Sequence, residues 1–325
     1  MTPLPFGSLL ILLTALGAAR GETALGQVLS LKDQVSREYP PALERLENFY
    51  GRVCIQGKGS YRAERAKPTK RLIDYTLDFR RKRDSMRLVR EVTSDTWQPA
   101  QTRGLVSTPR LSFSVVRHSG TGDYALESLS PGPSGQADQI RFDALLCFSP
   151  YSLGDSSVRD LLKSPAFAIK DASRVACAGR ECVKITFERT ASRGFVSGWM
   201  IVDPQAGWVL REREVTSQDP PFTARTTVEY EGQQDGIPLL RGARLAFEYG
   251  GVATEIHELK VDKLTVEDVP DEEFTLAAFG ISDAGATRPP LIPPGLAYSL
   301  LAALVAVGIV VAWRLARRRP QRGAA

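Results

Sequence analysis

The chain has 325 residues, a formal charge of +5, four cysteines and two histidines, and 43% of it is hydrophobic, enough apolar chain for one large core. Residues 1–19 carry no charged side chain and five arginines follow residue 313, so the stretch between them is neutral. The basic balance therefore marks membrane topology and excludes a nucleic-acid surface.

Phe6 to Leu16 is a short apolar run ending in Gly17-Ala18-Ala19, the pattern of a secretory leader cleaved after Ala19. No cysteine follows that site, which excludes N-terminal lipidation. Thr23 to Phe49 has helical periodicity, with an interruption expected at Pro40-Pro41. From Tyr50 the pattern changes to strands, predicted over 51–63, 71–79, 84–92, 103–108, 111–117 and 123–129. Short helices are predicted at 138–147 and at 155–163, the second capped by Asp155 or Ser156. Strands resume at 167–177, 182–189, 195–202, 208–216, 223–231, 239–249 and 252–262. The expected architecture is mainly β with a few helices (α+β): a curved antiparallel half-barrel over residues 20–280, wrapping over the helices.

A Pro-rich linker, 281–294, then leads to an uncharged run from Gly295 to Trp313. At ~1.5 Å per residue that run reaches about 28 Å, the thickness of a bilayer core. The tail 314–325 contains Arg314, Arg317, Arg318, Arg319 and Arg322 and no acid, which places it in the cytoplasm and the domain outside. The same features fit a sorting tail that is later removed.

An exported domain folds where disulfides persist, and four cysteines read as two bridges. With Gly179-Arg180 as a two-residue loop, Cys177 would face Cys182 on the polar side of a hairpin, while Val183, Ile185 and Phe187 share the other side. Cys54 and Cys147 form the remaining pair. A turn at Gly250-Gly251 would pair Arg244 with His257 and leave His257 solvated. With His118 and His257 in unrelated strands, no metal site is expected. There is no Gly-x-Ser-x-Gly, His-Glu-x-x-His or P-loop pattern, and Gly57-Lys-Gly59 carries little weight. Neither catalysis nor a cofactor is expected.

Residues 61–90 carry eleven lysines and arginines against four acids. Arg80, Arg81, Lys82 and Arg83 are candidates to meet an anionic surface, although the acidic stretch 266–273 could neutralise them within the fold. The apolar strand positions Val183, Ile185, Phe187, Trp199, Ile201, Leu245 and Phe247 are ordinary core or the lining of a cavity for a fatty chain.

The order of elements, with Cys182-Val-Lys-Ile-Thr-Phe187, the Trp199-Met-Ile-Val-Asp-Pro-Gln-Ala-Gly-Trp208 hairpin and Val228-Glu-Tyr-Glu231 leading to Asp235-Gly-Ile-Pro238, resembles the LolA/LolB-like superfamily. That superfamily comprises bacterial lipoprotein-localisation factors and the sensing domain of RseB-like regulators. The resemblance spans residues 24–280 and implies a half-barrel with an apolar cavity. The C-terminal membrane run departs from both the soluble carriers and the N-terminally lipidated acceptors of that group. Two functions follow. One is a membrane-anchored module holding an acyl chain, lipid or lipoprotein inside the half-barrel. The other is a regulatory module binding another membrane protein through the sheet surface. Reachable apolar positions inside would favour the first, and a filled interior with exposed apolar or charged patches elsewhere the second.

Overall fold

The computed structural model describes residues 30–63, 71–95, 99–120, 122–133, 146–153, 156–177, 179–190, 195–219, 221–250 and 252–282. The expected leader, membrane run and cytoplasmic tail, and the predicted helix at 138–147 apart from Leu146 and Cys147, lie outside these residues. Among the described residues no helix is long and apolar enough to cross a membrane.

Ser30 caps the first helix, α1 (Leu31–Tyr50), its side chain accepting from the Asp33 N–H at 3.2 Å. The helix runs unbroken through Pro40 and Pro41, contrary to the expected interruption. Val35, Tyr39, Ala42, Leu43, Leu46, Phe49 and Tyr50 are buried on both sides of the prolines, and this packing outweighs the missing N–H groups.

The strands are β1 (Arg52–Ala63), β2 (Arg71–Lys82), β3 (Ser85–Asp95), β4 (Gln101–Ser107), β5 (Leu111–His118) and β6 (Ala125–Pro131). A two-residue ladder, β7 (Ser152–Leu153) with β8 (Ser156–Ser157), precedes the short helix α2 (Val158–Lys163), capped by Ser157. Then come β9 (Phe167–Cys177), β10 (Arg180–Arg189), β11 (Phe195–Asp203), β12 (Val209–Gln218), β13 (Pro221–Gln234), β14 (Ile237–Tyr249) and β15 (Val252–Val266). Thirteen of these strands form one open antiparallel sheet, β6-β5-β4-β3-β2-β1-β15-β14-β13-β12-β11-β10-β9, its two halves joined by the non-local pairing of β1 with β15. The sheet is not a closed barrel.

Its two faces carry different cores. On the helix side, one continuous cluster joins α1 and α2 to alternate residues from β1 through β3 and β9 through β15. On the outer side, Val106, Phe113 and Val115 are covered by Val269, Phe274, Leu276 and Phe279 from the segment after β15, which makes two 3-10 turns across the sheet. This second small core takes in Ile281, the first residue of the expected linker, and its Phe279 also lies 5.0 Å beneath the Arg87 guanidinium.

Register corrects two expectations. The turn at Gly250 pairs Tyr249 with Val252, as read from the glycines, but a bulge after Phe247 shifts the ladder by one. Leu245 then faces His257, and His257 turns to the helix side, where it packs 4.7 Å from the Tyr61 ring. The β9–β10 ladder, with Gly179 at φ +76°, pairs Cys177 with Arg180 and Cys182 with Val175.

Candidate functional site

The helix-side interior is filled. Ile185 and Phe187 are 0% exposed, and Val183, Leu245 and Phe247 are also buried, all in the cluster that packs around α1 and its neighbours. Trp199 and Ile201, expected on the same lining, lie on the outer face. Pairing of Val183 with Val202 and of Ile185 with Met200 brings Met200 and Val202 inward instead. The outward Trp199 stacks beneath Lys184 at 4.7 Å and donates to Glu214 at 3.2 Å.

Polar contacts fasten the segments 146–153 and 156–163 over this interior. Ser157 donates to the Glu47 carboxylate, and Arg159 reaches Glu47 at 3.1 Å and Glu44 at 3.3 Å. Arg213, 2% exposed, donates to Thr226 Oγ1 at 3.1 Å and to the Ser152 carbonyl. Burial pulls its guanidinium down to about 10. Arg81 donates to the Tyr151 hydroxyl and stands 5.0 Å from the Phe148 ring.

The expected cationic patch is divided by strand alternation. Arg81 points to the helix side, whereas Arg80 and Lys82 point outward to the acidic segment that follows β15. Arg80 pairs with Asp78 at 3.0 Å and Glu273 at 2.6 Å, Lys82 pairs with Asp271 at 2.7 Å, and Arg87 also reaches Glu273. The Asp78 hydrogen bond is the main cause of a raised Arg80 pKa. Arg83 occupies the β2–β3 turn at φ +53°.

All four thiols are free. Cys54 packs against the outer cluster and Cys147 belongs to the inner one, so the sheet separates the expected pair. Cys182 lies diagonal to Cys177, with Sγ 4.0 Å from the Cys177 carbonyl oxygen, and burial first, then the neighbouring Cys177, pushes its thiol up to about 12. Far from sitting on a polar surface, it is 0% exposed beside buried Asp203, which caps the Pro204–Ala206 turn and pairs with Arg211 at 2.9 Å.

Open space lies on the other face. A trough of about 890 Å³ crosses β2, β1, β15, β14 and β13. Its floor follows two cross-strand rows. One is Thr76, Lys58, Lys260, Gly242 and Glu229, and the other is Asp74, Ser60, Glu258, Arg244 and Thr227. Arg244 and Glu258 pair at 3.3 Å in the second row. In the first, two lysines stand directly opposite each other, an arrangement that repels. Gly242 keeps the floor bare there, since a Cβ would approach the Leu259 carbonyl to 2.9 Å. Sequence reasoning missed this site, although Gly57-Lys-Gly59 contributes Lys58 and Gly59 to it. The residues are remote in sequence, and only the β1–β15 pairing joins them.

No family model matches the chain, and no curated protein matches it. Comparison with solved structures gives distant likenesses. The chain is similar to an outer membrane lipoprotein-sorting protein domain from Vibrio parahaemolyticus (9% identity, TM-score 0.45, covering 74% of this chain and 98% of that one). It is similar to a LolA superfamily protein from Nitrosomonas europaea (11%, 0.41, 73% and 97%) and to a DUF1329 family protein from Desulfovibrio piger (12%, 0.43, 74% and 97%).

Among the described residues no three His, Cys, Asp or Glu side chains gather as metal ligands. His257 is held neutral, its pKa lowered to about 4 by burial and then by the Arg90 charge. The trough offers charged and hydroxyl groups for recognition.

Proposed function

We propose that the chain is a non-catalytic binding module of the bacterial envelope. It is exported by its leader, held at the membrane by the 295–313 run, and takes its ligand on the outer face of the sheet. The observation that supports this is the distribution of space. The inner positions suited to an acyl chain are packed solid, while the 890 Å³ trough opposite them is open and carries charged and hydroxyl side chains. A filled interior with charged groups elsewhere favours recognition through the sheet surface, the route expected of a module that binds another membrane protein.

A lipid or lipoprotein held by its acyl chain is the second reading, and one observation favours it. The cover over the apolar interior is fastened by Ser157, Arg159 and Arg213 through polar contacts, which can release without rupturing the sheet. One structural neighbour carries lipoprotein sorting in its name, and on this reading the same ligand class would enter here.

Lipid extraction from the purified full chain, with mass analysis of what it retains, tests both. Loss of retained ligand in Lys58→Glu/Lys260→Glu, with Glu47→Ala/Arg159→Ala unaffected, supports the trough. The reverse pattern would assign the ligand to the interior. An unloaded chain that takes up neither lipid nor lipopeptide would exclude the lipid reading.

A further inference from the structure

We infer that the trough recognises a zwitterionic phospholipid head group, one carrying a phosphate and a primary amine; this rests on the outer-face reading above. Lys58 and Lys260 face each other across β1 and β15, and among the described residues neither ammonium group has an ion pair or side-chain hydrogen bond. Their neighbours are committed: Arg244 to Glu258 at 3.3 Å, and Arg241 to Glu231 at 2.9 Å and the Val261 carbonyl. Two opposed ammonium groups repel until an anion lies between them. The hydroxyls of Ser60, Thr76 and Thr227 line the same space and can donate to phosphate oxygens.

An anion alone does not complete the charge pattern. Glu229 lies beyond Gly242 in the lysine row and Asp74 lies diagonal to Lys58 in the other row, and the side chains of both lack an ion pair among the described residues. Glu229 approaches the bare floor at Gly242, where a Cβ would lie 3.7 Å from its carboxylate. With strands ~4.8 Å apart, Glu229 stands about 10 Å from Lys260 along the row, with the bare floor at Gly242 between them, so the long side chains can close on a head group lying over the glycine. A simple anion would meet these carboxylates as repulsion, whereas a primary amine next to the phosphate turns them into partners.

The lipid source follows from where the chain leaves the fold. Ile281 packs on the outer cluster, on the trough's side of the sheet. Residues 283–294 can span at most ~40 Å before the membrane run, so the trough side can face the bilayer.

The test places the full chain in nanodiscs of phosphatidylglycerol mixed with either phosphatidylethanolamine or phosphatidylcholine. Acylation of Lys58 and Lys260 is measured by peptide mass spectrometry relative to Lys32, an exposed residue of α1. The expected result is about fivefold protection of both trough lysines in the ethanolamine discs, the scale of one headgroup contact per lysine. Glu229→Gln/Asp74→Asn, at surface positions that leave the core intact, should reduce that preference to parity. Equal protection in both discs would overturn the zwitterion inference and leave the outer-face reading standing. Protection only by free phosphoethanolamine added to choline discs would overturn the lipid source. Lysines unchanged from detergent in every condition would overturn the outer-face reading as well.

Discussion

His257 offers a stability test whose sign depends on one bulge. Had the β14–β15 ladder kept the register of its turn, His257 would lie opposite Arg244 in water and titrate alike folded and unfolded. The bulge after Phe247 instead places it among Tyr61 and Phe247, with ring centroids 4.7 and 6.1 Å away. Burial and the Arg90 charge lower its pKa from 6.5 to about 4. Folded chain therefore holds the neutral imidazole, and unfolded chain binds the extra proton between these values. The contribution is full above pH 6.5 and is lost as pH falls towards 4, amounting to about 3 kcal/mol. The assay is urea unfolding from pH 4 to 8 of wild type and His257→Phe, which retains a ring but no titrating group. Carboxylates that protonate in the same range cancel in the difference. The wild type should lose about 3 kcal/mol relative to the variant on acidification. A flat difference, or one of opposite sign, would refute the buried placement and the bulge that causes it.

Three further outcomes test packing and register. Met200→Ala should destabilise by about 2–5 kcal/mol and Trp199→Ala by only about 1, since the first is fully buried and the second faces outward, which chemical denaturation will resolve. Gly198→Ala should cost about 1–3 kcal/mol, because its Cβ would come within 2.1 Å of the Glu214 carbonyl oxygen, and equal midpoints by the same method would contradict that fit. After expression in an oxidising compartment, peptide mapping should find no Cys54–Cys147 bridge, because the two residues belong to clusters on opposite faces of the sheet.

Much of the fold was legible because its signals are local. Thirteen strands were expected and thirteen pair in the large sheet, each hairpin announced by turn residues such as Asp203-Pro204 and Gly207. Facing was less legible. In Phe195–Asp203 both parities are apolar, Trp199 and Ile201 on one side and Met200 and Val202 on the other, so alternation alone leaves the inward face open. Pairing with β10 decides it. The cysteine hairpin failed for a related reason: moving a two-residue loop by one position displaces the opposed residues by two and puts Val175, not Cys177, across from Cys182.

The trough was least legible, and the cause is topological. Its two rows draw residues from near 58, 75, 228, 242 and 259, and no window of sequence contains more than a fragment. Within each strand Lys58, Glu229 and Lys260 look like ordinary solvated positions of an amphipathic ribbon. What distinguishes them is a cross-strand relation, two lysines opposed beside a glycine with a carboxylate beyond, which exists only once β1 joins β15. That single pairing connects the first strand of the sheet's N-terminal half to the last strand of its C-terminal half. It also seats Ile55 and Val261 over α1 on the helix side. The contact that completes the apolar interior therefore also assembles the charged outer site, and a substitution weakening the β1–β15 ladder should loosen both together.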